Sequence, residues 1–223
     1  MKVLILGGGR VGGSLARELV DNNYDVSVID LDKNALSHLE ENLDIMTIEG
    51  HAAHPVSIKK AGADESTTVI AVTSSDEVNL VACQVAKKQF GVNKTICRLT
   101  ESSYSEDLDM FGEKIIDIVI SPENEVMTHL KELIIHPGAQ QIENFADGKV
   151  NLVNVKAKKK GKLVGRELKG IKEDMPETDA FVASIYRKGK PFIPSGDSII
   201  KENDEVYFIS SASNIDQIVN EFR

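Results

Sequence analysis

No stretch of this 223-residue chain reaches the roughly 18 consecutive apolar residues of a membrane-spanning helix. The N-terminus passes from one lysine directly into an apolar strand and a glycine turn, a start that does not fit a secretory leader. Cysteine is scarce. Cys83 and Cys97 are too few for a disulfide framework, and their apolar settings predict buried, unreactive thiols. Net positive charge is missing as well. At −9 the chain lacks the basic balance that duplex binding needs, so nucleic acid is not expected as a partner. Neither a G-x-S-x-G elbow nor a P-loop occurs, which removes the main signatures of hydrolases and Walker-type ATPases. Low-complexity segments and short-period repeats are absent too. These absences leave a soluble, cytoplasmic protein. Its 41% hydrophobic content supports a packed core in one large or two small domains.

The most informative feature that is present lies at the start. Lys2–Leu6 reads as a strand, followed by Gly7-Gly8-Gly9-Arg10-Val11-Gly12, a G-x-G-x-x-G turn. Gly7 permits the tight turn, Gly9 lets the backbone approach a pyrophosphate, and Gly12 lets the next helix lie close to the strand. The N–H groups opening that helix then face phosphates, with the helix dipole behind them. A second strand ends in Asp30, about 20 residues on, as the fingerprint requires. A carboxylate there accepts hydrogen bonds from ribose hydroxyls and repels a 2′-phosphate, which disfavours NADP. It does not separate NAD from ATP, ADP or S-adenosylmethionine, which share that ribose. The alternative is an ordinary polar residue at a strand end.

Strands alternate with helices through the first half. Strands are expected at Val3–Leu6, Val26–Ile29, Asp44–Ile48, Thr68–Val72, Thr95–Leu99 and Ile115–Ile120. Helices are expected at Val11–Asp21, Lys33–Glu41, Pro55–Ala61, Asp76–Phe90 and Tyr104–Phe111. The pattern predicts parallel βαβ units in a doubly wound, Rossmann-like sheet ordered 3-2-1-4-5-6. Ser121 as N-cap, Pro122 and Glu123 then open a helix that stops at His136-Pro137-Gly138. Beyond it, strands at Gln141–Phe145, Val150–Ala157, Ala180–Arg187 and Glu205–Ser210 are separated by turns at Asp147-Gly148, Lys188-Gly189, Ser195-Gly196-Asp197 and Asn203-Asp204. Small helices are expected at Val164–Lys169 and Asn214–Phe222. The domain reading is 1–120 for the nucleotide-binding domain, 121–138 for a bridging helix, and 139–223 for a small α+β C-terminal domain.

Other residues carry possible chemistry. A cation at Arg10, at a helix start where the dipole disfavours it, suggests a nearby anion such as a phosphate oxygen. Thr73 and Ser74 close the fourth strand at the switch-point crevice and could touch ribose or nicotinamide, while Ser75 or Asp76 is better read as a helix N-cap. Arg98 ends the fifth strand and faces either that crevice or a partner. His51 and His54 have the spacing of a metal pair but no accompanying ligand, so loop or helix-start roles fit better, with an adenine contact open to their loop. Tyr186-Arg-Lys-Gly-Lys190 matches a Y-x-x-x-K string, yet Gly189 and Pro191 make the segment a reversing strand rather than the helix such chemistry needs. The basic run Lys156–Lys162 reads as a solvated hairpin. No acid, base or nucleophile stands beside the crevice, which favours a sensor over an enzyme. An NAD-dependent oxidoreductase is the competing reading.

At this point particular segments carry a resemblance. GGGRVGGSLARELV, the VID ending at Asp30, EGHAAHP and AVTSSDEVNLVACQVA in Met1–Ile120, with NFADGKVNLVNVKA and GDSIIKENDEVYFIS in Gln140–Arg223, are similar to the RCK (regulator of potassium conductance) family over the whole chain. The resemblance implies a cytoplasmic regulatory subunit, peripheral to the inner face of the cell membrane. It would bind NAD+ or NADH, or alternatively ATP or ADP, without turnover. Carried onto this chain, the pocket positions are Gly7, Gly8, Gly9, Arg10, Val11, Asp30, Thr73, Ser74 and Arg98. Family members carry either Arg or Gln where Arg10 stands, making it a possible tuner between nucleotides. The resemblance also implies a homo-oligomer, dimers assembling into a ring, that gates a membrane potassium channel subunit of the Trk or Ktr type. Met110, Phe111, Val126 and Leu130 would pair the subunits. Many such proteins hold two tandem copies of this unit. This chain holds one, as either a single-copy member or a fragment of a two-copy protein, and a single copy is expected to build the ring from more identical subunits.

Overall fold

The computed structural model describes residues 1–106, 115–146, 148–170 and 180–223. It divides into two compact units, Met1–Asn124 and Glu125–Arg223. The first contains β1 (Lys2–Leu6), α1 (Arg10–Asp21), β2 (Asp25–Asp30), α2 (Lys33–Glu40), β3 (Met46–Glu49) and α3 (Pro55–Lys60). These are followed by β4 (Thr67–Ala71), α4 (Asp76–Phe90), β5 (Lys94–Arg98), α5 (Ser102–Glu106) and β6 (Ile118–Ile120). The six strands form one sheet in the order β3-β2-β1-β4-β5-β6, every pair parallel, as the alternation of elements predicts.

β1 lies at the centre, with Val3, Leu4, Ile5 and Leu6 all buried. Its alternate side chains serve opposite faces, as a strand's period of two requires. Val3 and Ile5 join Ala16, Leu36 and Leu39 of α1 and α2. Leu4 and Leu6 join Ile58, Leu80 and Cys83 of α3 and α4. Cys83 and Cys97 are fully buried. A hydrogen bond to the Cys97 thiol, together with burial, pushes the Cys83 thiol well above its usual range. Helix ends follow local chemistry. Asp32 caps α2 through Asn34 N–H, Ser75 caps α4 through Val78 N–H, and Gly91 closes α4 with φ +62°.

α6 (Pro122–Ile135) opens with proline, but the expected Ser121 side-chain cap is not made. The Ser121 hydroxyl is buried without a hydrogen-bond partner among the described residues, and the acidic Glu123 supplies the first-turn charge instead. The expected helix at Tyr104–Phe111 is described only as Ser102–Glu106. Met110, Phe111 and Asp147 lie outside the described residues.

The second unit holds an antiparallel sheet in the order β10-β9-β11-β8-β7, built from β7 (Ala139–Phe145), β8 (Val150–Lys156), β9 (Ala180–Arg187), β10 (Lys190–Phe192) and β11 (Glu205–Ser210). α7 (Ile215–Glu221) covers one face with Ile215, Ile218 and Val219, joined by Phe222 against Val153, Ile185 and Phe208. β9 and β10 form a hairpin through Lys188 (φ +50°) and Gly189 (φ +80°), so Tyr186 and Lys190 stand on opposed strands rather than one helix face. β10 is the returning arm of the strand reversal that Gly189 and Pro191 predict, though no separate strand is expected there. It is an edge strand, where a missing donor is tolerated.

The helix expected at Val164–Lys169 is corrected. Gly165 has φ +88°, and only Leu168–Gly170 forms a short 3₁₀ turn. Three of the N–H groups there bond across to residues 196–200 rather than to the fourth residue back. Gly165 N–H donates to Ile200 O at 2.8 Å, Leu168 N–H to Ser198 O at 3.0 Å and Lys169 N–H to Gly196 O at 2.8 Å.

Candidate functional site

At the carboxyl ends of β1, β2 and β4 the chain forms a cavity of about 520 Å³. Open parallel sheets place their crevice there because the strand order reverses on either side of β1. Its walls include Gly7, Gly9, Arg10 and Val11 from the first turn, Asp30 and Leu31 after β2, Gly50, His51 and Ala52 after β3, Val72, Thr73, Ser74 and Ser75 after β4, and Arg98 at the end of β5. The structure therefore brings Gly7, Gly9, Arg10, Val11, Asp30, Thr73, Ser74 and Arg98 into one cavity. Gly8 and Gly12 do not line it.

Both of those glycines shape it from behind. A β-carbon on Gly12 would fall 1.8 Å from Gly7 O, so only glycine lets α1 start this close to the turn. Gly7 has φ +107°, and its N–H donates to Ile29 O at 2.8 Å, tying the turn to β2. Gly8 N–H donates to Asp30 Oδ2, and Asp32 N–H donates to Asp30 Oδ1 at 2.8 Å. The Asp30 carboxylate thus anchors two loops. Each of its oxygens keeps a lone pair beyond those bonds.

Gly9 is the N-cap of α1 and gives no side-chain cap. No acidic residue stands in the first turn, and the cationic Arg10 occupies the first helical position. The opening N–H groups are accordingly an uncompensated positive end. A β-carbon on Gly9 would meet nothing within 4 Å, so the turn presents bare backbone to open space. These features fit the pyrophosphate of a dinucleotide or the phosphates of a mononucleotide.

On the opposite wall, Arg98 Nη2 pairs with Glu123 Oε1 at 2.9 Å, while its Nε is buried without a partner. Ser75 Oγ donates to Glu77 Oε2 at 2.7 Å, and that bond holds the Glu77 carboxyl below its usual range. Asp76 Oδ2 accepts Thr100 and Glu101 N–H, both at 2.8 Å.

Sequence reasoning passed over part of the wall. Gly50, Ala52 and Leu31 belong to it. His51, whose loop the sequence left open to an adenine contact, belongs to it as well, its Nδ1 accepting Ala53 N–H at 3.2 Å and its ring stacked on His54 with centroids 4.5 Å apart. Asn79 was also missed. It is fully buried on α4, in line with Cys83 and Ala86. A polar residue within that buried stripe is the signal that could have found it.

Comparison with known proteins agrees with this architecture. The TrkA-N domain model matches residues 3–122, and the TrkA-C domain model matches residues 152–223. The chain is 42% identical to a Trk system potassium uptake protein TrkA of Halomonas elongata and 39% identical to one of Vibrio alginolyticus. In each case the alignment covers all of this chain and 49% of the relative, so the chain spans about half the length of these curated relatives. Among solved structures, the GsuK RCK domain aligns with TM-score 0.65 at 15% identity, covering 99% of this chain and 47% of that one. The GsuK channel bound to NAD aligns with TM-score 0.65 at 17% identity, covering 96% of this chain and 38% of that one. These two likenesses concern the fold. The family follows from the sequence match over more than half the chain: it belongs to the TrkA-N domain family and carries a TrkA-C domain on the same polypeptide.

Proposed function

We propose that this chain is a cytosolic nucleotide-sensing unit that regulates a potassium uptake system and does not turn its ligand over. The observation that carries the reading is the cavity itself. A bare glycine turn at an uncapped helix start, a carboxylate at the end of β2 and two arginines surround one space large enough for an adenine nucleotide. The naming of the TrkA relatives and the NAD named with the GsuK channel support the choice of ligand and partner.

In this reading the phosphates lie against the N–H groups of the first turn and Arg10, and the ribose hydroxyls bond the free lone pairs of Asp30. Leu31, His51 and Ala52 flank the base. Thr73, Ser74 and Arg98 meet the far end of the ligand. NAD+, NADH, ATP and ADP all meet these requirements. The ligand acts by binding alone. Forms differing in phosphate or ring charge bind different subunit arrangements unequally, and only such differential affinity shifts a conformational equilibrium. Couplings of this kind amount to about 1–3 kcal/mol. The arrangements would be those of a ring of identical subunits beneath a membrane channel subunit, paired through the apolar face of α6.

Isothermal titration of the purified chain with ADP, ATP, NAD+ and NADH tests the reading. At least one should bind and be recovered chemically unchanged. Asp30→Ala should weaken that binding about tenfold or more while leaving the melting temperature near that of the wild type. Absence of binding by all four, or steady consumption of NADH with simple carbonyls, would overturn it.

A further inference from the structure

We infer that Asn79 is a positioning residue that sets the ligand-facing ends of β4 and β5 as one unit. The inference rests on the nucleotide-binding reading above. It follows from a count of hydrogen bonds. A side-chain amide has four positions, two donors and two acceptor lone pairs. Asn79 is 0% exposed and uses all four on two residues, Thr73 and Arg98. Its Oδ1 accepts Thr73 N–H at 3.0 Å and the Thr73 hydroxyl at 2.7 Å. Its Nδ2 donates to Thr73 O at 3.3 Å and to Arg98 O at 3.0 Å.

Both partners line the cavity, Thr73 just after β4 and Arg98 at the end of the adjacent β5. Their strand ladder stops short of them, with Ala71 and Cys97 as its last paired residues. Beyond that point the Asn79 amide replaces the ladder and holds the two backbones in register. The amide has one orientation here. Turned over, its NH₂ would face the Thr73 N–H and its oxygen would face the Arg98 carbonyl.

The network also fixes what Thr73 offers a ligand. The single hydroxyl proton is held by Asn79, with Ser75 O a second acceptor at 3.2 Å, so the side chain faces the cavity as an acceptor and a methyl group. Arg98 is held from both ends, its carbonyl by Asn79 and its guanidinium by Glu123. Deleting the Asn79 donors therefore frees the backbone that carries one of the cavity's two cations.

The test measures ADP and NADH binding by isothermal titration, with thermal melts run in parallel. Asn79→Asp keeps the shape and the acceptor for Thr73 but turns a carboxylate toward the Arg98 carbonyl. It should bind the better of the two ligands about tenfold more weakly at pH 7.5. Lowering the pH should narrow that gap relative to wild type, because the introduced carboxyl regains a donor when it takes up a proton, and burial raises the pH at which it does so. Thr73→Val, which removes the hydroxyl donor to Asn79, should also weaken binding, whereas Thr73→Ser should restore it to within about twofold. If Asn79→Asp does not fold, Asn79→Ser, which keeps one donor and an acceptor, takes its place in the same titration and should also bind more weakly than the wild type. Wild-type binding with both Asn79→Asp and Thr73→Val within twofold of it overturns the inference and leaves the nucleotide reading standing. Wild-type protein that binds neither ligand removes the reading and the inference with it.

Discussion

Two glycines three residues apart do opposite jobs, and their substitutions should separate. An alanine β-carbon at Gly12 would sit 1.8 Å from Gly7 O, inside any contact distance, so α1 must shift off the turn. Gly12→Ala should cost about 1–3 kcal/mol, the range for overpacking, and lower the thermal midpoint by several degrees. At Gly9 the added carbon meets nothing within 4 Å, and the φ of −65° suits alanine. Gly9→Ala should melt like the wild type yet weaken nucleotide binding, because the methyl group occupies the space where phosphate approaches the backbone. Calorimetry and melting curves on the two variants check both outcomes, and equal loss of binding without loss of stability at Gly12 would contradict the packing role. Residue by residue, the glycine turn and Asp30 were legible because their signal is local, six consecutive positions and one strand end. His51 was legible only as an adenine contact open to its loop, and Asn79 was not legible at all. His51 reaches the cavity, and Asn79 reaches the Thr73 and Arg98 that line it, only through sheet order and helix packing.

Elements were legible where one period dominated and obscure where tertiary bonding overrode it. The central strands β1, β2 and β4, buried on both faces, and α4 with its serine cap and glycine stop lie close to their sequence signals. Val164 and Leu168 are four apart, which mimics a helix, but Gly165 has a positive φ, and the Gly165, Leu168 and Lys169 N–H groups bond across to residues 196–200. Nearby, an ion pair that sequence spacing does not reveal ties the end of β9 to the turn before β11. Arg187 Nε and Nη2 fork onto Asp204 Oδ1 and Oδ2 at 2.8 and 2.7 Å, and Arg187 also lies over the Phe192 ring at 5.2 Å. Burial pushes the Asp204 carboxyl up, but the guanidinium and the Lys201 N–H outweigh it and hold it below its usual range. A carboxyl lowered in the folded state stabilises the fold at neutral pH, and that contribution fades as pH falls through its folded value. Arg187→Ala leaves the 1% exposed carboxylate without its partner. Because Arg187 itself is 27% exposed, the loss should be about 2 kcal/mol, below the range for a fully buried pair. Burial is then opposed only by the Lys201 N–H and the Lys201 charge, so acid unfolding of the variant should begin at higher pH than in the wild type. Circular dichroism from pH 7 down to pH 3 reads that shift, and coincident acid transitions would exclude a stabilising role for the pair.

At the scale of the whole molecule, α6 is the element that the chain's own packing does not explain. It runs 14 residues with none of them buried. Val126, Leu130 and Ile134 recur at a spacing of four and are 59%, 54% and 78% exposed, with Met127 beside them at 61%. A helix normally buries such a stripe, and an exposed one of this length marks a contact surface. Its last turn is anchored: His136 Nδ1 lies 2.7 Å from Asp216 Oδ1, and Arg223 Nη1 donates to Pro137 O at 2.7 Å. One end of the stripe is therefore rigid enough to present its side chains in a fixed pattern. A stripe of this kind suits a second copy of the same helix, since a two-fold axis opposes identical apolar residues without any charge mismatch. Sedimentation velocity should accordingly show a dimer or larger species for the wild type. Leu130→Asp places a charge at the middle of the stripe, where burial against another apolar face would leave it unpaired. Because Leu130 is exposed within the chain, that substitution should leave the melting temperature of the isolated chain nearly unchanged while shifting sedimentation to the monomer. A wild type that sediments as a monomer at tens of micromolar, or a Leu130→Asp variant that stays associated, would show that the pairing surface lies elsewhere and that any coupling between nucleotide sites must run through another face.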